Sequence, residues 1–155
     1  FKVSDDSYNV FDLIDEYELT SLEQTQFTKY SFIWKLFLFN SKFIIWDRIN
    51  ANITIHENNG KFYSVIKNDT NLSWNEIKNI DFDSDRNLLY ISDFINGIFI
   101  YDVQNSILIE NIKRNDLHPT ATIVDKNFIY VIRNNFDQKG LVWTFRKSDY
   151  KRRLY

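Results

Sequence analysis

Three stretches of the chain repeat one pattern of apolar and polar positions. Residues 43–62 read FIIWDRINANITIHENNGKF, residues 88–107 read LLYISDFINGIFIYDVQNSI, and residues 128–146 read FIYVIRNNFDQKGLVWTFR. Each is an apolar–aromatic run, a short polar turn, and a second apolar–aromatic run. Ile53, Ile98 and Leu141 open the second runs, 45 and then 43 residues apart. A period of roughly 40–50 residues built from short strands is the signature of β-propeller blades. The pattern predicts antiparallel strands at 31–39, 43–48, 52–57, 61–67, 77–82, 87–93, 97–103, 106–113, 120–125, 128–134 and 140–146. Within each unit they read as a four-stranded meander.

Local signals support these strands. SFIWKLFLFN (31–40) is almost wholly apolar, which predicts a strand buried on both faces. Asn40-Ser41-Lys42 predicts a hairpin, Asn59-Gly60 is a strong two-residue turn signal, and Asn96-Gly97 repeats it. YELTSL (17–22) alternates loosely and predicts one more strand, and Val10–Ile14 a short helical turn or lone strand. NDTNLSWNE (68–76) and RNDLHPT (114–120) read as loops. The expected organisation is a single domain over 1–155. It has an N-terminal extension (1–18), a first unit (19–67), a second (68–113) and a third (114–155).

Composition sharpens the fold class to all-β. Aromatics make up 17% of the residues, and Gly (3) and Pro (1) are scarce, a mixture that fits pleated, half-buried surfaces. The formal net charge of −2 argues against charge-steered nucleic-acid binding. Without cysteine, disulfides and thiolate metal sites are excluded. No run approaches the roughly 18–20 apolar residues of a membrane span. There is no Met, even at position 1, so the chain is expected to begin inside a longer precursor or to have lost its initiator. Closed propellers take about 4–8 blades. Three units, with at most a partial fourth, are therefore expected to pack against the rest of a propeller or a protein partner.

The cadence of Asn40–Asp47, Asn52–His56 and Asn59–Phe62 resembles the first blade of six-bladed, NHL-like β-propeller proteins of the Bacteroidota type. IDFDSDRNLLYISDFINGIFIYD resembles their next blade, and the likeness covers roughly 17–135. NDTNLSWNE stands where that family has a Gly-Pro-rich loop. YISDFINGIFIYD is also similar to a segment of the yellow/major royal jelly propellers, and FIIWD to WD repeats. The resemblance implies an exported protein, often held by a lipid anchor, in the periplasm, at the outer-membrane surface or outside the cell; the WD-like alternative would be cytoplasmic. It does not imply a catalytic site, because the matching residues are turn and packing residues.

Few residues carry candidate chemistry. Asp81, Asp83 and Asp85 alternate as calcium ligands can. However, Arg86 and Ser92 stand where an EF-hand has Gly and Glu, and the simpler expectation is a turn shaped by Asp side chains. Asp47 and Asp93 end matching strands, which suggests either paired acid–base groups or carboxylates that cap turns. His56 and His118 have no paired ligand spacing and are expected in solvent or in single hydrogen bonds. Trp46 and Trp143 fall in repeat strands and predict core, whereas Trp74, in a polar loop, is the candidate partner contact. Asn52, Asn68 and Asn71 open glycosylation sequons. Lys147, Lys151, Arg152 and Arg153 predict a solvated basic end. The function that follows is a non-catalytic binding or scaffold module. The alternatives are a metal-dependent lactonase or other hydrolase on a propeller, or an intracellular WD-like scaffold.

Overall fold

The computed structural model describes residues 20–67, 74–133 and 140–148, with the backbone of 152–153. Twelve strands are present: β1 (Ile33–Phe39), β2 (Lys42–Asp47), β3 (Asn52–Glu57), β4 (Phe62–Ile66), β5 (Ile77–Asp83), β6 (Leu88–Asp93), β7 (Gly97–Asp102), β8 (Ile107–Ile112), β9 (Ala121–Val124), β10 (Phe128–Arg133), β11 (Leu141–Arg146) and β12 (Arg152–Arg153). No helix occurs among the described residues. The eleven predicted strands are all found, their ends shifted by at most two residues. They form three four-stranded antiparallel sheets, β1–β4, β5–β8 and β9–β12, each a meander in chain order.

The turns explain the meanders. Asn40 and Ser41 both take positive φ (41° and 58°), the backbone that lets a two-residue hairpin follow strand twist. At 58–61 only Gly60 is left-handed (φ 83°). Its N–H donates to the Glu57 carbonyl at 2.9 Å.

The three sheets stack through two cores. Ile44, Trp46, Ile53 and Ile55 of the first sheet meet Ile80, Leu89, Ile91 and Phe99 of the second. The opposite face of the second sheet, with Leu88, Tyr90, Ile98 and Ile100, meets Ile129, Val131, Trp143 and Phe145 of the third. β6 is therefore buried along its whole length, as a strand covered on both faces must be. Polar bonds also link neighbouring sheets. Lys35 Nζ donates to the Ile80 carbonyl (2.7 Å), and Asn79 Nδ2 to the Thr122 carbonyl (2.8 Å). Ser92 and Thr122 share a buried hydroxyl–hydroxyl bond.

Four expectations are corrected. β1 is not buried on both faces: Trp34, Leu36 and Leu38 are exposed, because no described sheet covers that side. Thr20–Leu22 form no strand. That segment instead docks on the tip of the β3–β4 hairpin, where Glu23 N–H donates to the Gly60 carbonyl at 2.8 Å. Residues 17–19, Val10–Ile14, and the sequons at Asn68 and Asn71 lie outside the described residues. The basic end is not a solvated tail at Lys147, which is buried and paired with Asp83, and β12 pairs with β11. Trp74 is a core residue rather than an exposed loop aromatic. Its indole is buried between the first two sheets.

Candidate functional site

Two turns, at the same end of neighbouring sheets, are built to one plan. Asp47-Arg48-Ile49-Asn50-Ala51 joins β2 to β3, and Asp93-Phe94-Ile95-Asn96-Gly97 joins β6 to β7. Each Asp is fully buried and is held only by donors. Asp47 accepts the N–H groups of Ser31 (2.6 Å), Phe32 (3.2 Å), Ile49 (3.0 Å) and Asn50 (3.2 Å), and Asn50 Nδ2 (2.8 Å). Asp93 accepts those of Asn75 (2.7 Å), Glu76 (2.5 Å), Ile95 (3.0 Å) and Asn96 (2.7 Å). Each carboxylate thus staples its turn to the strand entry of its own sheet. Burial pushes the Asp47 carboxyl up, but bonds from Ser31, Asn50 and Phe32 outweigh it and hold the pKa below the usual carboxylate value. Carboxylates with their lone pairs so occupied cap turns and do not shuttle protons.

The consequence is at the turn tips. Ile49 is 69% and Ile95 55% exposed, on backbone that the buried carboxylates hold fixed. Around them, the Arg48 guanidinium lies 4.7 Å from the Trp34 ring centre, and the Lys78 ammonium 5.4 Å from that of Phe94. The Phe94 ring also packs on His118 at 5.2 Å, and the ring nitrogen Nδ1 of His118 lies 3.0 Å from the Phe94 carbonyl. A carbonyl only accepts, so this nitrogen donates. The third sheet departs from the plan. Arg133 stands where Asp47 and Asp93 do, and its Nη1 donates to the Asp116 carbonyl at 3.0 Å.

The other candidate residues are dispersed. Asp81 and Asp83 lie on β5, and their side chains reach the third sheet: Asp81 Oδ2 accepts the Val124 N–H at 2.7 Å, and Asp83 pairs with Lys147. Asp85 is exposed in the following turn. The three acids therefore do not converge. Among the described residues no group of three or more His, Asp or Glu side chains is disposed around a common metal position.

His56 was expected in solvent or in a single bond, and is neither. It is fully buried, with Nδ1 3.0 Å from the Gly60 carbonyl and Nε2 2.6 Å from the Tyr30 hydroxyl. Nδ1 must donate to Gly60, because a carbonyl only accepts, and Nε2 shares its bond with the Tyr30 hydroxyl. Tyr30 also bonds Thr54 Oγ1 at 2.6 Å. Burial raises the Tyr30 pKa; the Thr54 bond opposes the rise and the Asp47 charge adds to it. The network clamps the segment before β1 onto the first sheet. One sequence signal could have found it: Thr54 and His56 alternate with Ile53 and Ile55, so they share the face opposite the core.

No family model matches the chain, and no curated protein does. A crystal structure of a candidate exported protein from Bacteroides fragilis is similar to it, with a TM-score of 0.72 at 12% identity. The match covers 88% of this chain and 40% of that one, so the chain spans about two-fifths of that protein's length. At this identity the likeness shows a shared fold. Among the described residues no helix is long and apolar enough to cross a membrane.

Proposed function

We propose that the three meanders are blades of a β-propeller-type, non-catalytic binding or scaffold module of an exported protein. The observation that carries the reading is the pair of stapled turns. Two buried carboxylates hold adjacent turns by the same set of backbone bonds, and each turn presents an isoleucine to solvent. A rigid apolar tip on a loop, flanked by Arg48 and Lys78 on aromatic rings, is the kind of anchor that loops on a firm scaffold offer a protein partner. An enzyme would need reactive groups that converge. Here Asp47 and Asp93 are saturated by backbone donors, and Asp81 and Asp83 are engaged between sheets. Export is supported by the shared fold with a candidate exported protein.

The test is photo-crosslinking from the turn tips. A photoreactive amino acid replaces Ile49 or Ile95, with Asn105, exposed in the β7–β8 turn, as the control. In an extract of the source cells, both tip positions should give one discrete adduct that excess wild-type protein competes away. No adduct at either tip, or an equal adduct from position 105, would overturn the reading.

A further inference from the structure

The end of the sheets that carries Ile49 and Ile95 also gathers cations, and the fold leaves three of them without acids. Lys67 follows Ile66, which pairs with Ile53 near the start of β3. Lys113 follows Ile112, which pairs with Ile98 near the start of β7. Both therefore stand at the turn end, with Arg48. All three side chains are exposed, and each is held by something other than a carboxylate. The Arg48 guanidinium lies 4.7 Å from the Trp34 ring centre, and the Lys67 ammonium 5.0 Å from that of Phe27. Lys113 Nζ donates to Asn96 Oδ1 at 3.1 Å. None of the three forms an ion pair among the described residues. A ring face or an amide oxygen fixes a cation in place without cancelling its charge.

The described acids at this end are already engaged. Asp47 and Asp93 are buried under backbone donors, Glu76 pairs with Lys78, and Asp116 with Arg114 at 3.5 Å. At the far end of the sheets, cations instead stand among acids. Lys42 is 3.7 Å from Glu57, Lys147 is paired with Asp83, and exposed Asp85 and Asp125 precede exposed Arg86 and Lys126. A chain with a formal net charge of −2 thus sets three unpaired cations around its two apolar tips. The sheets stack through their faces and not through their turns, so stacking leaves these tips open.

We infer that the turn end binds an acidic segment of a partner protein, its carboxylates meeting Arg48, Lys67 and Lys113 and its apolar side chains meeting Ile49 and Ile95. The inference rests on the binding-module reading proposed above and names the chemistry of the partner. Charge complementarity selects acidity, because a basic partner would set like charges against these three. Cations already held on a ring or an amide lose little side-chain freedom when a carboxylate arrives. The isoleucines select protein over other polyanions: a phosphate or sulfate backbone offers them no apolar surface to bury.

The full chain is titrated with a capped peptide repeating Glu-Glu-Leu and, separately, with one repeating Gln-Gln-Leu. Isoleucine methyl signals are followed by NMR at about 0.05 M salt, where screening is weak. The acidic peptide should move the Ile49 and Ile95 signals. The neutral peptide should bind at least about tenfold more weakly, and so should the acidic peptide to a chain carrying Arg48→Gln, Lys67→Gln and Lys113→Gln together. All three positions are exposed, so the variant should keep its circular dichroism. Equal binding of the two peptides, or no movement of either tip signal at about 1 mM peptide, would overturn the inference. So would tighter binding at the tips by a heparin fragment or an oligothymidylate. Cross-peaks in the free chain from the tip methyls to residues 1–19 would overturn it too, by giving the face an occupant within the chain. If the tips crosslink to one partner in extract while the acidic peptide leaves them unmoved, the binding-module reading stands and only the acidic chemistry fails. If the crosslinks are also absent, both fail.

Discussion

Gly97→Ala is the substitution that probes the repeated turn most sharply. Gly97 has φ 88° and closes the β6–β7 turn opposite Asp93. A Cβ placed there would lie 2.2 Å from the Ile112 carbonyl oxygen and 3.2 Å from Lys113 Cα. Left-handed backbone costs an L-residue about 1–2 kcal/mol. Opening the 2.2 Å contact to ordinary separation moves the end of β8 by about 1 Å. That weakens a strand hydrogen bond and the seat of buried Ile112, together about 1–2 kcal/mol. Alanine also restricts the unfolded chain, which returns about 0.4–1 kcal/mol. The net expectation is a loss of about 2–3 kcal/mol. Ala51 is the internal control. It follows its aspartate at the same spacing and is also left-handed (φ 51°), but it lies within the turn, since Asn52 and not Ala51 pairs with Asp47; Ala51→Gly should relieve strain while adding unfolded-state entropy, a net change of less than about 1 kcal/mol. Urea unfolding at one fixed protein concentration measures both, with the slope checked for constancy. A Gly97→Ala loss below about 1 kcal/mol, or an Ala51→Gly loss as large as that of Gly97→Ala, would refute the reasoning that left-handed backbone and the close approach of Ile112 set the cost at Gly97.

Three further outcomes are expected. Asp47→Asn leaves the backbone donors with a weaker acceptor and should destabilise by about 2–3 kcal/mol at pH 7. The native Asp47 pKa is depressed, so its stabilisation is full above the unfolded carboxylate value of about 3.9 and is lost as pH falls through the lower folded value. Acid unfolding followed by fluorescence should accordingly be less steep in the variant below about pH 4, and an unchanged slope would count against the staple. Lys147→Met strands the buried Asp83 carboxylate and should cost about 3–5 kcal/mol, whereas Lys147→Met with Asp83→Leu should recover most of it; a denaturant series on the three proteins decides. Because Asp81 and Asp83 reach across to the third sheet and Asp85 faces solvent, chelator should leave the melting temperature unchanged, and a calcium-dependent rise of several degrees in scanning calorimetry would restore the metal reading.

Strand positions were legible because apolar alternation and the Asn-Gly and Asn-Ser turns are local signals. Asp47 and Asp93 were legible as caps for the same reason: each ends a strand and is followed by Asn three residues later. Side chains that act between sheets were not. Lys147 sits in a basic stretch, and only the stacking of the third sheet on the second brings Asp83 to it across 64 residues. His56 carried no ligand spacing, and its partners Tyr30 and Gly60 come from a docked segment and a hairpin tip. Trp74 followed a polar loop, so its local surroundings pointed outward while the wedge between sheets drew it in. The apolar run in β1 predicted burial on both faces, and the structure covers one.

The most direct measurement is amide hydrogen exchange of the wild-type chain beside Asp93→Asn. If the buried carboxylates hold the turns, the Ile95 and Asn96 amides, which donate to Asp93, are protected in the wild type and exchange at least about tenfold faster in the variant while β5–β8 stay protected. Unprotected amides in the wild type, or equal rates in the two proteins, would contradict the account.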